Sequence, residues 1–353
     1  MAFGETRPLV HSPSPTMRTL LLACLLHAAP FAAVAADPVA PVDPLPTAES
    51  ARLLEAVVVS GVQPGPGLWR VSRDRRVLWV LGTQSPLPRR FEWEAREVRE
   101  VIAASQAVIL GVSVQLKEEI GFFRGLTLLP AALSSRKDPQ RKPLRELVPA
   151  QDYARWLALK AKYLGRDRGV EKQRPIFAAG KLYEKAVRRS GLSFDPVIGD
   201  LVRRTAKKHD VPLIEAEIRI DIGDPRQAIR DFADHRLDDV ECFRKTLTRL
   251  ETDLDVMRER ANAWATGDIA GLRDLPFEDQ TRTCTDAFLS SAFIRERGLD
   301  DLRQRARAAW LEAAEKALAE NASTFAMLPM ADLLKPDGYL AALRERGYEV
   351  EEP

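Results

Sequence analysis

Apolar positions cluster in short β-like runs early in the chain and later recur at three- and four-residue steps, so the pattern predicts strands first and helices after them. Gly67-Leu68-Trp69-Arg70-Val71 and the run Val77 to Leu81 flank a polar stretch from Ser72 to Arg76, which predicts a β-hairpin. Glu94 to Ala104 has helical spacing, with Val98, Val101 and Ile102 on one face. Ala107 to Val114 is an apolar, β-branched run suited to a central strand buried on both faces. Strand, helix and strand in close succession predict an α/β unit.

The middle of the chain reads as helix. Ala150 to Leu164, Phe177 to Ser190 and Phe194 to His209 have apolar residues at helical steps, and Val211 to Ala216 is a short strand. Asp224 to Thr266 predicts a long helical tract with a break near His235, interrupted afterwards by Gly267, Gly271 and Pro276. Leu299 to Asn321 predicts a helix with Trp310 in the core, and Thr324 to Leu328 a strand. Asp337 is placed to cap a last helix, Gly338 to Arg346, which Gly347 ends before a closing strand at Tyr348-Glu349-Val350. Asp268, after Thr266-Gly267, reads as a second helix cap. The fold expected is α/β: a central mixed sheet with flanking helices and a large helical insertion at about 150–320, in a single domain spanning 65–353.

The N-terminus changes the picture. From Met17, Arg18 and the run Leu20 to Leu26 lead to Pro30 and to the small-residue cleavage pattern Ala33-Val34-Ala35. This is the form of a secretory signal peptide spanning 1–36, with Met17 the better start site. A lipoprotein anchored through Cys24 is the alternative. Residues 37–64 open in a Pro- and Ala-rich stretch that reads as a flexible lead-in. The expected location is the periplasm or the exterior, with no transmembrane segment in the mature chain. Among the 353 residues, 45% are apolar and 29% charged, with a formal net charge of +2. That balance describes an ordinary globular chain and gives no argument for a nucleic-acid partner.

Export bears on the cysteines. Only Cys242 and Cys284 follow the leader, and in an oxidising compartment they are expected to pair, with two buried thiols as the alternative. Pairing closes a loop of about 43 residues, worth about 4 kcal/mol in a chain-entropy account. His209 and His235 are the two histidines of the mature chain, and both lie in charged surroundings that read as solvated surface. This set is a poor one for a zinc or transition-metal enzyme.

Val80-Leu81-Gly82-Thr83-Gln84-Ser85 reads as a buried strand entering a glycine turn with polar side chains at its tip. Together with Leu68-Trp69-Arg70-Val71, the strand Ala107 to Val112, Val211-Pro212-Leu213-Ile214-Glu215, Ala265-Thr266-Gly267-Asp268 and Asp337-Gly338-Tyr339-Leu340 to Tyr348, it resembles the TraB/GumN family. That family includes the Tiki-type metalloproteases and is related in fold to erythromycin-esterase-like and ChaN-like proteins. The resemblance implies a site of two Gly-x-x-His turns and a glutamate. Two imidazoles and a carboxylate can hold a divalent metal or activate its bound water.

At the corresponding positions this chain has Ser85 for the first histidine, Gly111 for the glutamate and Asp332 for the second histidine. The candidate pocket is Gly82, Gln84, Ser85, Glu215 and Asp332. Ser85 is read as a turn hydroxyl, since no Gly-x-Ser-x-Gly elbow surrounds it. Asp332 is read as a helix cap, and Glu215 as a buried carboxylate paired with an arginine of the helix carrying Arg303, Arg305 and Arg307. No cofactor is expected; weak binding of Mg or Ca by one or two oxygens is the alternative. The resemblance implies an exported, catalytically degenerate protein of the bacterial envelope. Its partner would be an envelope protein, a peptide or a polysaccharide component, with a hydrolase of altered site as the competing reading.

Overall fold

The computed structural model describes residues 61–117, 121–235, 237–275, 280–289 and 291–353. The leader and most of the lead-in lie outside them. At the centre is a six-stranded sheet built from β1 (Leu68–Arg73), β2 (Arg76–Thr83), β3 (Val108–Leu116), β4 (Leu213–Ile220), β5 (Ser323–Pro329) and β6 (Glu349–Glu351). Their spatial order is β6-β1-β2-β5-β3-β4. The pairs β6–β1 and β1–β2 are antiparallel, and β2–β5, β5–β3 and β3–β4 are parallel, so the sheet is mixed as expected.

The hairpin β1–β2 turns through Asp74 and Arg75, with Asp74 at φ 58°. An acidic side chain tolerates this left-handed conformation better than most. Trp69, Leu78, Leu81, Ile109 and Phe325 are fully buried in the sheet's core. Helix Arg96–Ala104 contributes Val98 and Ile102 to that core and packs against helix Val197–Lys208. Helix Leu302–Glu320 lies against β2, β3 and β4, with Trp310 fully buried.

Three expectations need correction. The run Ala107 to Val114 is buried only at its start: Val108 and Ile109 are fully enclosed, whereas Val114 is 54% exposed. The cause is the register, because β3 pairs with β5 only at Val108 and Ile109 and continues beyond the sheet alongside β4 alone. The tract Asp224 to Thr266 breaks twice, giving Pro225–Asp234, Val240–Thr252 and Leu254–Thr266. At the second break Asp253 leaves helical geometry (φ −113°, ψ 5°) and serves as C-cap of one helix and N-cap of the next. Gly338, not Asp337, is the N-cap of Tyr339–Glu345, and no side chain caps it. A Cβ at that position would stand 2.3 Å from the Asp332 carbonyl, so the close approach requires glycine.

Helices Ala150–Tyr163, Pro175–Arg189 and Val240–Thr252 form a second core around Trp156, Leu182, Phe243 and Leu247. Strand β4 and helix Val197–Lys208, which fall between these helices in sequence, belong instead to the sheet and its core. A disulfide joins Cys242 to Cys284 and ties Val240–Thr252 to Gln280–Leu289. Asp268 caps the next helix as expected, its Oδ1 accepting the Gly271 N–H at 2.8 Å.

Candidate functional site

The ends of β2 and β5 bring the two family turns together. Thr83 stands in register with Pro329, and the Thr83 hydroxyl donates to the Leu328 carbonyl at 3.3 Å. Gly82 is fixed by contact: its carbonyl accepts the buried Trp264 Nε1–H at 2.7 Å, and a Cβ on it would lie 2.5 Å from Met330 Cε. Met330 is fully buried, so there is little room for it to give way. Gln84 donates to the Ser85 carbonyl at 3.3 Å, and Ser85 is exposed at the tip before a cis bond to Pro86.

Asp332 is not the cap that was expected. It lies inside the short helix Met330–Leu333, whose N-cap is Pro329, and its carboxylate is paired with Lys335. It also faces Tyr339: burial raises the pKa of that phenol, and the Asp332 charge raises it further against the opposing Arg307.

Glu215 departs further from its expected place. It is exposed and pairs with Arg203 at 3.5 Å, because the neighbouring charged element is helix Val197–Lys208. The arginines assigned to it have other partners. Arg303 pairs with Asp286, Arg305 donates to the Arg219 carbonyl, and Arg307 donates to the carbonyls of Asp337 and Gly338. Glu215 sits on β4, three strands from β2, a separation of about 14 Å at the usual strand spacing. The structure therefore unites Gly82, Gln84, Ser85 and Asp332 at adjacent strand ends and leaves Glu215 outside direct reach of them.

Gly111 differs from the glutamate that the resemblance implies in its backbone as well as its side chain. It stands opposite Glu215 at an irregularity in the β3–β4 register and has φ +139°, where residues with a Cβ are strained. A glutamate at 111 would need this backbone to be rebuilt. With Ser85 exposed, Gly111 bare and Asp332 held by Lys335, the residues present do not fit the metal site of the resemblance. No group of three His, Cys, Asp or Glu side chains placed to hold an ion occurs among the described residues.

A second polar site lies in the helical part, and sequence reasoning missed it. A cavity of about 330 Å³ is lined by Asp138, Leu147, Arg174, Leu237, Asp238 and Asp239, among others. Arg174 is buried and donates to the carbonyls of Phe232 and Ala233, each at 3.1 Å, and to that of His235. Burial lowers its pKa against the pull of Asp239 and Asp138. Asp239 Oδ2 accepts the Ile176 N–H at 2.8 Å and so caps the first turn of Pro175–Arg189 from another helix. Burial pushes its carboxyl up to about 6, opposed by that N–H and by the Arg174 charge. The only local trace was Arg174-Pro175 at a helix start; the partner at 239 is distant in sequence. His235 is half-buried rather than solvated, with Nδ1 2.7 Å from the Asp231 carbonyl and Nε2 3.3 Å from Glu296.

The mixed sheet sets the glycine turn after β2 beside the Pro329 turn after β5. A model of the TraB/PrgY/gumN family matches residues 67–352, and the chain belongs to that family. Comparisons with curated proteins and with solved structures return no match. No helix among the described residues is long and apolar enough to cross a membrane.

Proposed function

We propose that the protein is an exported TraB/GumN member that has lost the family's metal chemistry and acts as a binding or accessory protein of the cell envelope. The observation that carries this reading is the condition of the three chemistry-bearing positions. Ser85 supplies only an exposed hydroxyl, Gly111 lies in a glycine-only backbone conformation, and the Asp332 carboxylate is neutralised by Lys335. Three coordinated changes of this kind remove a ligand set, whereas one would only weaken it. The export half of the proposal rests on the leader pattern from Met17 to Ala35.

The competing hydrolase reading needs a base within hydrogen-bond reach of Ser85, and Asp332 is the one acidic candidate at the adjacent strand end. Isothermal titration of the mature protein with Zn and with Mn tests the first reading. No binding tighter than about 0.1 mM is expected, the range of weak oxygen sites. Micromolar binding abolished by Asp332→Ala would overturn it. Fractionation of cells expressing the chain from Met17 tests export separately, and a wholly cytosolic product would refute that half.

A further inference from the structure

Helix Phe122–Ser134 turns its apolar side outward. Gly125, Leu128, Ala132 and the following Ser135 recur at three- and four-residue steps on the inward side, where Leu128 and Ser135 are buried. That side packs against helix Pro225–Asp234, from which Arg226 donates to the Thr127 hydroxyl at 3.1 Å. On the outward side Leu126, Leu129 and Leu133 are 58%, 50% and 49% exposed, and Phe123 extends the line at 80%. An ordinary surface helix buries its large apolar residues; this helix buries Leu128 but leaves Phe123, Leu126, Leu129 and Leu133 exposed. The stripe is on the order of 400 Å² of apolar surface, the size of a typical monomer's largest apolar patch, which is often functional.

Beyond the C-terminal end of the stripe, the exposed charged residues are cationic. The chain leaves the helix through Arg136 and Lys137, three and four residues beyond Leu133, and continues to Arg141 and Lys142; all four are exposed. Arg141 is tied to the helix end by a bond to the Ser134 hydroxyl at 3.2 Å. The acid within this segment, Asp138, is buried, and its Oδ1 accepts the backbone N–H groups of Gln140 and Lys142.

We propose that this helix is a docking surface for an anionic lipid bilayer. The leucines enter the boundary between headgroups and acyl chains, and the four cations meet the lipid phosphates. A second copy of the chain fits the stripe less well. A two-fold contact must be self-complementary, and the exposed charges that follow the helix, Arg136, Lys137, Arg141 and Lys142, share one sign. The stripe's area is also about half of the roughly 800 Å² that each partner of a stable pair buries.

The test is flotation of the mature protein with vesicles of equal parts phosphatidylglycerol and phosphatidylcholine, and with vesicles of phosphatidylcholine alone. Binding is expected to the anionic vesicles only, and to fall at high salt. Replacing Leu126, Leu129 and Leu133 together by Ser should lower partitioning on the order of a hundredfold. Lys137→Gln with Lys142→Gln should lower it on the order of tenfold. Thermal melting of both variants checks that they fold; if the leucine variant does not, the lysine variant decides. Absence of flotation, or undiminished binding by the folded variants, would overturn the proposal. So would a dimer in sedimentation equilibrium that the leucine substitutions dissociate, which would assign the stripe to a second copy.

Discussion

The strand tips at Gly82–Ser85 and Pro329–Asp332 hold charge in one way, and the cavity between Arg174 and Asp239 in another. At the tips the carboxylate is half-exposed and matched, Asp332 by Lys335, as Glu215 is matched by Arg203 on the sheet's edge strand. Solvent and counter-charge cancel most of what such groups could do electrostatically. In the cavity Asp239 is 4% exposed and its proton is held to about pH 6. Arg174 is 3% exposed, with its donors spent on carbonyls of a neighbouring segment. The strand tips are electrostatically quiet, while the helical part holds a buried pair in which burial lowers the Arg174 pKa and raises that of Asp239. A shifted carboxyl in a cavity is equally a feature of binding sites and of structural networks, so the comparison has to be broken by substitution.

The largest effect is expected from Arg174→Met. It leaves three backbone carbonyls without their donor and removes the positive charge near Asp239. Loss of a buried charged partner costs about 3–5 kcal/mol. Urea denaturation should therefore show a much lower midpoint. A loss under about 1 kcal/mol, the worth of a surface pair, would mean that the cavity is no more demanding than the tips.

Asp239→Asn comes next and acts through pH. Asp239 binds its proton more tightly when folded than the ordinary value of 3.8 allows. Its contribution to stability is therefore complete in acid and is lost as pH rises from about 4 to about 6, a loss of about 3 kcal/mol. Asparagine keeps an oxygen to accept the Ile176 N–H but does not titrate. Melting curves between pH 4 and 7 should lose that downward slope in the variant. An unchanged slope would place the titration elsewhere.

Much of the fold was legible because local periodicity encodes it. The β1–β2 hairpin, helix Arg96–Ala104 and strand Ser323–Pro329 each follow from which positions are apolar. Helix Phe122–Ser134 was passed over: Gly125 and Pro130 lie inside it, and its leucines do not mark a buried face. The tip residues were found through family motifs, which order and spacing preserve. Glu215 was misplaced because an acidic residue ending an apolar run looks buried, whereas β4 is an edge strand with an exposed face. The pair Arg174 and Asp239 depends on helices meeting across 65 residues of chain, and no short-range pattern reports such a meeting.

Gly111→Glu tests whether the backbone at this position accepts the glutamate that the resemblance implies. A Cβ at 111 meets nothing within 4 Å, so the cost of the Cβ itself comes from φ +139°. A residue forced into that region costs about 1–3 kcal/mol. Gly111→Ala should lose that amount through its Cβ, and Gly111→Glu should lose more, because its carboxylate is added opposite Glu215 across the β3–β4 pair. If the alanine variant is neutral, the backbone at the β3–β4 irregularity is free to relax.

The smallest change is Asp332→Asn, and its informative readout is Tyr339. A half-exposed ion pair with Lys335 is worth about 0–1 kcal/mol, so stability should scarcely move. The phenol should respond, because the Asp332 charge adds to burial in raising its pKa. In the variant, absorbance titration of phenolate should show one tyrosine ionising at lower pH than in the parent. It should still lie above the ordinary value, since burial is the larger cause and is untouched. A tyrosine titration identical to the parent's would mean that Lys335 already cancels the Asp332 charge as seen from the site, making the strand tips quieter still than the comparison requires.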